Sequence, residues 1–125
     1  MDSHSFAVYL KYRWKAKTRH GIHSPFVYAF IDNCLGKISS LTLEQRINEY
    51  FGSALQWNNT AIDTQKKLVV VALKEIHTTQ ENSAKWNSLC RIPEFVLSID
   101  LFSIGLLVYN PEVKEKQHFV LKFPL

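Results

Sequence analysis

Glycine is scarce in this sequence, and its spacing excludes the common phosphate-binding loops. The 125-residue chain holds four glycines, Gly21, Gly36, Gly52 and Gly105, which all lie far apart. The GxGxxG fingerprint and the P-loop each need two glycines within a few positions. Both motifs are therefore excluded, and with them the tight turn through which a backbone approaches a phosphate group.

Motifs of metal and nucleophilic chemistry are missing as well. The two cysteines, Cys34 and Cys90, form no CxxC pair, and the five histidines form no HExxH motif. A zinc site needs three or four converging ligands, and a nucleophilic serine or cysteine needs a base beside it. The sequence has neither pattern, so we predict no metal site, no catalytic residue and no bound cofactor.

Long apolar runs are absent too. No run of about 18 apolar residues is present, so we expect no membrane-spanning helix. The N-terminus, MDSHSFAVYLKYRWK, lacks the order of basic region, apolar core and cleavage site that marks a signal peptide. We predict a cytoplasmic protein whose two cysteines are reduced and packed.

The excess of basic charge lies at the N-terminus. Residues 1–23 carry five of the 15 basic side chains and one of the 11 acidic ones, so they account for the whole net charge of +4. Such an arm attracts phosphate, nucleic acid or an acidic partner. The alternative interpretation is a solvated helix face, which is the usual role of a charge run.

The stretch RHGIHSPFVYAF, residues 19–30, favours the start of a helix. Ser24 predicts an N-cap, Pro25 suits the first helical position, and Gly36 predicts a left-handed residue at the C-terminal end. Two interpretations stay open: a turn before a helix, or an anion site that uses the free N–H groups of the helix start. The candidate anion-binding residues are Lys15, Lys17, Arg19, His20 and His23.

Hydrophobic spacing predicts an α/β protein with one domain over residues 1–125. Three helices are predicted first, over residues 5–18, 24–36 and 42–55, and a polar loop follows over 56–67. A buried strand, a fourth helix and three further strands come next, over residues 68–73, 78–89, 95–102, 106–110 and 118–123. This order divides the domain into a helical part, residues 1–56, and a strand-helix-meander part, residues 68–125. The expected architecture is a small mixed β-sheet with the N-terminal helices packed on it.

Two polar residues follow the first predicted strand. Glu75 and His77 lie where a buried strand ends, and α/β proteins place active sites at the carboxyl ends of such strands. They are therefore candidate site residues, with an ordinary polar pair in a loop as the alternative.

Three segments resemble a family of bacterial class I S-adenosylmethionine-dependent methyltransferases. KAKTRHGIHSPFVYAFIDNCL is similar to the family's N-terminal arm, and FVLSIDLFSIGLLVYNPEVKEKQHFVLKF is similar to its C-terminus. Between them, EIHTTQENSAKW resembles the family's strand end and helix, where Ile76, His77, Glu81 and Trp86 match. The resemblance implies a Rossmann-like sheet, of which this chain keeps the last strands and the N-terminal helices.

The departures from the family concern the cofactor. Residues 37–67 are too few for the family's first strands and contain no glycine loop for S-adenosylmethionine. The family's strand-end Asp-Asp stands here as Lys74-Glu75, and its following Trp as Thr78, so Glu75 and His77 are candidates for a vestigial site. The resemblance therefore implies a methyltransferase-like protein that acts as a non-catalytic interaction or self-association module. A methyltransferase completed by a partner chain and a nucleic-acid-binding module that uses the basic arm are the alternatives.

The resemblance also predicts a homo-oligomer, most simply a dimer. In a full sheet the strand over residues 68–73 would have a neighbour on each side, and here one neighbour is expected to be missing. The strand contains no proline and no charge, the usual protections of an edge strand. Pairing with a second copy would satisfy its free N–H and C=O groups.

Overall fold

The structure, a computed structural model, describes residues 4, 5, 8, 24–121 and 123. It is an α/β fold with helices on a five-stranded mixed sheet, as the sequence predicts. The predicted first helix, residues 5–18, falls mostly outside the described part, within which Ser5 and Val8 are helical. None of the described helices is long and apolar enough to cross a membrane.

Helix α1, Pro25–Phe30, begins at the predicted Ser24-Pro25 start. Ser24 accepts a long bond of 3.4 Å from the N–H of Val27, and Pro25 needs no partner at the first helical position. The helix continues as a π-helix, Ile31–Leu35. Gly36 has φ −84°, so the left-handed conformation predicted for it is wrong. Its N–H instead donates to the carbonyl of Ile31 at 2.7 Å, which closes the wider π turn without a left-handed residue.

Helix α2, Leu43–Phe51, is shorter than the predicted range of 42–55. Thr42 and Gln45 form a capping box, in which each side chain accepts a bond from the other residue's backbone N–H. Gly52, with φ 55°, ends the helix, because few other residues adopt that conformation without strain. One 3-10 turn, Gly52–Ala54, then leads into the first strand.

Five strands form the sheet: β1 Leu55–Trp57, β2 Val69–Lys74, β3 Leu97–Asp100, β4 Ile104–Tyr109 and β5 Gln117–Val120. Their order across the sheet is β1-β2-β4-β3-β5. β1 lies parallel to β2, and β5 lies parallel to β3. β4 runs antiparallel between β2 and β3. Helix α3, Gln80–Cys90, connects β2 to β3; it lies close to the predicted range of 78–89, and Thr79 is its N-cap.

Strand β2 is an interior strand, so the unpaired edge expected for residues 68–73 is wrong. β1 pairs with one edge of β2, and β4 covers the other edge along the whole strand. The sequence pattern does not predict β1: it assigns Leu55 to a helix and residues 56–57 to a loop. A strand of only three residues is too short to show the alternation of apolar and polar side chains. The reason given above for a dimer therefore disappears.

The end of the sheet also differs from the predicted meander. β5 does not pair with β4 but lies beside β3, at the outer edge. The turn after β3 lies at residues 101–103, inside the range of 95–102 predicted as a strand, and Phe102 there adopts φ 69°. Ile104 and Gly105 are thereby free to begin β4.

Two apolar clusters hold the layers together, one on each face of the sheet. Helices α1 and α2 cover the first face, where β2, β3 and β4 present six buried side chains: Val70, Ala72, Leu97, Ile99, Leu106 and Val108. Helix α3 covers the second face with Trp86, against Val69, Val71 and Leu107. On β3, Leu97 and Ile99 join the first cluster, whereas Phe95 precedes the strand and joins the second cluster.

The indole of Trp86 lies directly on the backbone of Gly105. Trp86 is 1% exposed, and a Cβ built at Gly105 would lie 2.6 Å from its Cη2 and 2.8 Å from its Cε3. Such distances are far below van der Waals contact, so only glycine lets α3 approach the sheet this closely. The contact sets the distance between helix α3 and strand β4.

Replacing Gly105 with alanine is expected to lower the free energy of unfolding by about 1–3 kcal/mol, the usual range for overpacking a core. The added methyl group forces either the indole or strand β4 to move. Urea denaturation of the wild type and the variant measures the effect. In a Trp86→Leu background the same change should cost clearly less, because the ring is gone. An equal cost in both backgrounds would contradict the explanation.

Candidate functional site

The loops that follow β2 and β3 meet at one edge of the sheet. The two strands run in the same direction on either side of β4, so their carboxyl ends lie side by side. Ligand sites of α/β proteins occur at such edges. Five side chains gather there and are called the strand-end cluster below: His4, Ser5, His77, Ser83 and Asp100.

His77 and Asp100 form the buried centre of the strand-end cluster. His77 Nε2 lies 2.6 Å from Asp100 Oδ2, and each residue is 7% exposed. Asp100 Oδ1 accepts a second bond, of 2.8 Å, from the N–H of Phe102. Both carboxylate oxygens are therefore occupied, which offsets the cost of burying this side chain.

Ser83, in the second turn of α3, links His77 to His4. Its Oγ lies 2.9 Å from His77 Nδ1 and 2.8 Å from His4 Nε2. A carboxylate only accepts, so His77 Nε2 carries the proton and, in the neutral ring, Nδ1 is the acceptor. Ser83 therefore donates to His77 and accepts from His4. One directed chain of hydrogen bonds runs from His4 through Ser83 and His77 to Asp100.

Ser5 joins the strand-end cluster through the backbone of the loop after β2. The Ser5 hydroxyl donates to the carbonyl oxygens of His77 and Thr78, at 2.8 and 3.0 Å, and Ser5 is 6% exposed. These bonds and the one between His4 and Ser83 join residues that lie 72–79 positions apart in the sequence. They fix the start of the chain to the loop after β2.

Two residues of these loops are held in the left-handed region. Glu75 has φ 57° and Phe102 has φ 69°, values that are uncommon for residues with large side chains. The N–H of Glu75 donates to the carbonyl of Ser103 at 2.9 Å, which ties the loops to each other. A cavity of about 270 Å³ lies between them, lined by Ser5, His77, Thr78, Phe102 and Ser103.

The order Asp100, His77, Ser83 is that of an acyl-transfer triad, in which the imidazole takes the serine proton. The position of Ser83 argues against that chemistry. Ser83 is 8% exposed, its Oγ already accepts from His4, and it is not among the described residues that line the cavity. The cluster is therefore arranged to join segments of the chain rather than to attack a substrate.

Metal binding finds no support in the described part of the chain. No three of its His, Cys, Asp and Glu side chains are grouped so that they could hold an ion. Every buried side-chain nitrogen and oxygen there has a hydrogen-bond partner. The polar groups of the strand-end cluster satisfy one another.

A second polar group lies on the same face of the sheet. Ser98 Oγ is 2.6 Å from His118 Nδ1, and Cys90 of α3 lies on this face as well. Burial raises the pKa of Cys90 to about 11. Burial likewise raises the pKa of Cys34 to about 11. Both cysteines are free, and as neutral thiols near pH 7 they are poor nucleophiles.

Of the residues singled out in the sequence, His77 alone belongs to the strand-end cluster. Glu75 is exposed and contributes to the site only through its backbone. The five candidate anion-binding residues, Lys15, Lys17, Arg19, His20 and His23, lie outside the described part, so the anion site stays a prediction. His4, Ser5, Ser83 and Asp100 are missing from the sequence-based prediction. Of these residues, only Asp100 stands out in the sequence, because it is a polar residue in a predicted strand with alternating apolar residues.

A rigid loop joins α1 to α2 on the opposite side of the sheet. The Arg46 guanidinium donates to five carbonyl oxygens, at 2.5 to 3.4 Å: those of Cys34, Leu35, Lys37, Ser39 and Leu41. This loop presents Ile38, which is fully exposed and is one of the residues that line a groove of about 240 Å³. Ile38 and Leu41 are the exposed large apolar side chains of the described part.

Comparison with known proteins identifies no relative. No protein-family model, no curated protein and no solved structure matches the chain. The resemblance to methyltransferases stays a prediction from the sequence, and function has to be argued from the geometry of the chain.

Changing Asp100 to asparagine is expected to lower the free energy of unfolding by about 1–3 kcal/mol, the cost of leaving a buried polar group unsatisfied. The two oxygens of Asp100 accept from two N–H groups, whereas an amide offers one oxygen and one further donor. Either one of the two bonds is lost, or His77 must accept at Nε2 and donate from Nδ1, which reverses its bond with Ser83. Denaturation in urea near pH 7 measures the change.

Asp63→Asn provides the matched control. Asp63 is exposed, and its Oδ1 accepts from the N–H of Gln65 at 3.0 Å, a bond that an asparagine can also make. We expect a change within about 0.5 kcal/mol for this variant. If Asp100→Asn lowers the free energy of unfolding no more than the control does, the buried hydrogen bonds of Asp100 do not stabilise the fold as expected.

Proposed function

We propose that the chain is a methyltransferase-like protein without a site for S-adenosylmethionine, and that it acts as a non-catalytic interaction or self-association module. The observation that carries this proposal is the complete hydrogen bonding of His77. This residue, which matches the family's strand-end histidine, is bonded at both ring nitrogens and is 7% exposed. A catalytic histidine must exchange a proton with its substrate. This histidine instead connects β3, α3 and the start of the chain.

The sequence supports the absence of a cofactor site independently. The family binds S-adenosylmethionine through a glycine loop, whereas this chain has no two glycines close enough to form one. Without that turn the backbone N–H groups cannot approach the ligand. In the sheet, β2 pairs with β1 and β4, and neither of these two strands is followed by a glycine-rich turn.

Isothermal titration with S-adenosylmethionine is expected to show no binding at micromolar protein concentration. The reason is the missing glycine turn, since the ligand's carboxylate and ribose have no backbone donors. A dissociation constant below about 100 μM, roughly −5.5 kcal/mol, would contradict the proposal. Such binding would favour the alternative of a methyltransferase. If a partner chain completes the site, S-adenosylmethionine should bind more tightly when that chain is present.

For self-association we propose the surface around Ile38, with a second copy of the chain as its partner. The Arg46 bonds hold this loop in one conformation, so little conformational entropy is lost when it binds. The neighbouring groove of about 240 Å³ is larger than a cavity of about 150 Å³ that accepts benzene. Two copies related by a two-fold axis could thus each place Ile38 in the other's groove.

Changing Ile38 to serine is expected to weaken self-association at least about tenfold, because each copy loses one buried isoleucine side chain. Sedimentation equilibrium over a range of micromolar concentrations measures the dissociation constant. Lys37→Ser is the matched control, since the bond of Lys37 to Arg46 uses its carbonyl oxygen and survives the change. A wild type that stays monomeric, or equal weakening by both variants, would contradict this surface.

A nucleic-acid-binding module is the second candidate, and the charge distribution favours it. The arm of residues 1–23 carries the whole net charge of +4, including the candidate anion-binding residues Lys15, Lys17 and Arg19. Neutralising phosphates with such residues releases counterions, so the affinity falls steeply with salt. Binding of DNA or RNA with that salt dependence would favour this candidate over the self-association module.

A further inference from the structure

We infer that the outer edge of strand β1 pairs with the same edge of a second copy, in an antiparallel arrangement centred on Trp57. The two sheets then form one continuous sheet across a two-fold axis. This inference rests on the self-association proposed above and deepens it, because it names a contact that does not involve Ile38. The observation that carries it is the direction of the backbone groups along Leu55–Trp57.

The hydrogen bonds between β1 and β2 fix which backbone groups of β1 point outwards. The N–H of Asn58 donates to the carbonyl of Ala72 at 2.8 Å, so it points towards β2. Backbone groups of successive residues in a paired strand point in opposite directions, so the N–H and C=O of Trp57 point away from β2. Within the described part of the chain, neither of these two groups has a hydrogen-bond partner.

These two groups complement those of a second copy that approaches along a two-fold axis. One N–H and one C=O of the same residue point outwards, so Trp57 of each copy donates to the carbonyl of the other copy's Trp57 and accepts from its N–H. This mutual exchange of two bonds defines the hydrogen-bonded pair of an antiparallel sheet. A two-fold contact needs a surface that complements itself, and the outward groups of Trp57 provide one.

The composition around β1 lacks the features that prevent such pairing. Strand β1 contains neither proline nor a charged residue, and the whole stretch of residues 50–62 is uncharged. The Lys74 ammonium lies 5.3 Å from the centre of the Trp57 ring, but it is also 3.0 Å from the Glu44 carboxylate, which balances its charge. Two copies therefore meet here without repulsion between like charges, although the whole chain carries a net charge of +4.

Strand β1 reaches the surface and is held in one conformation. All three of its residues are partly exposed. The indole N–H of Trp57 donates to the side-chain oxygen of Asn48 at 2.7 Å, and the Gln56 amide donates to the carbonyls of Asn59 and Ala61 at 2.6 Å each. Because these bonds fix the strand before a partner arrives, little conformational entropy is lost on pairing.

The exchange rate of the Trp57 backbone amide, measured by NMR on the wild-type chain between about 10 μM and 1 mM, tests the pairing. We expect at least about tenfold slower exchange at the higher concentration, because pairing occupies this N–H. The Gln65 amide, in the exposed loop between β1 and β2, is the internal control and should keep one rate. A Trp57 amide with one rate throughout would overturn the inference, and a slow one would show that the edge is covered within a single chain. Equal slowing of both amides would mean non-specific association and would overturn it too.

A disulfide across the two-fold axis tests the register. Opposite residues of a hydrogen-bonded pair lie about 5.5 Å apart at Cα, a distance that a disulfide spans. Trp57→Cys, made in a Cys90→Ser background that leaves only the buried Cys34, should therefore give a crosslinked dimer under mild oxidation. Gln56→Cys in the same background is the matched control, since its two thiols lie diagonally across the pair, about 7–8 Å apart, and should crosslink poorly. Equal crosslinking at both positions, or none at position 57, would overturn the antiparallel pairing.

The variant Ile38→Ser separates this contact from the surface proposed above. We expect the Trp57 amide of this variant to slow with concentration as it does in the wild type, and loss of the slowing would overturn the edge as a contact of its own. A wild type that associates in sedimentation equilibrium while its Trp57 amide keeps one rate would overturn the edge pairing and leave the proposed self-association standing. A wild type that stays monomeric would overturn both.

Discussion

The contact between Trp86 and Gly105 is the constraint on which the rest of this structure depends. An indole pressed on a glycine backbone brings helix α3 closer to the sheet than any side chain at position 105 would allow. That distance places Ser83, one turn earlier in the helix, within hydrogen-bond reach of His77. A polar cluster with three linked bonds tolerates little displacement, so it relies on this apolar contact for its geometry.

The second face of the sheet combines two kinds of burial. Apolar side chains of β2 and β4 meet Trp86, while β3 turns Ser98 and Asp100 to the same side. Each of these polar residues is bonded to a histidine, His118 or His77. Burying polar groups costs free energy unless they are paired, and this face pairs them with residues from distant parts of the chain. Polarity thus selects which segments come together, and apolar packing supplies most of the stability.

Local patterns in the sequence predicted most elements of this fold, and long-range pairing accounts for what they missed. The helix start at Ser24 was predictable, because an N-cap serine and the proline after it are adjacent in the sequence. Strand β1 was not, since three residues show no period and become a strand only beside β2. The site was predictable only at His77. His4 and Ser83 are ordinary polar residues until the fold brings them together over 79 positions, and no spacing rule encodes that meeting.

The docking of His4 on Ser83 also has a consequence for biosynthesis. The two residues are 79 positions apart, and a ribosome that adds about 5–20 residues per second needs roughly 4–16 s to cover that distance. During this time the nascent N-terminal segment has no surface to bind, and the surface is complete only once Asp100 has also been made. His4 and Ser5 are therefore synthesised well before the residues that they bind, and they reach their native place only after Asp100 has been made.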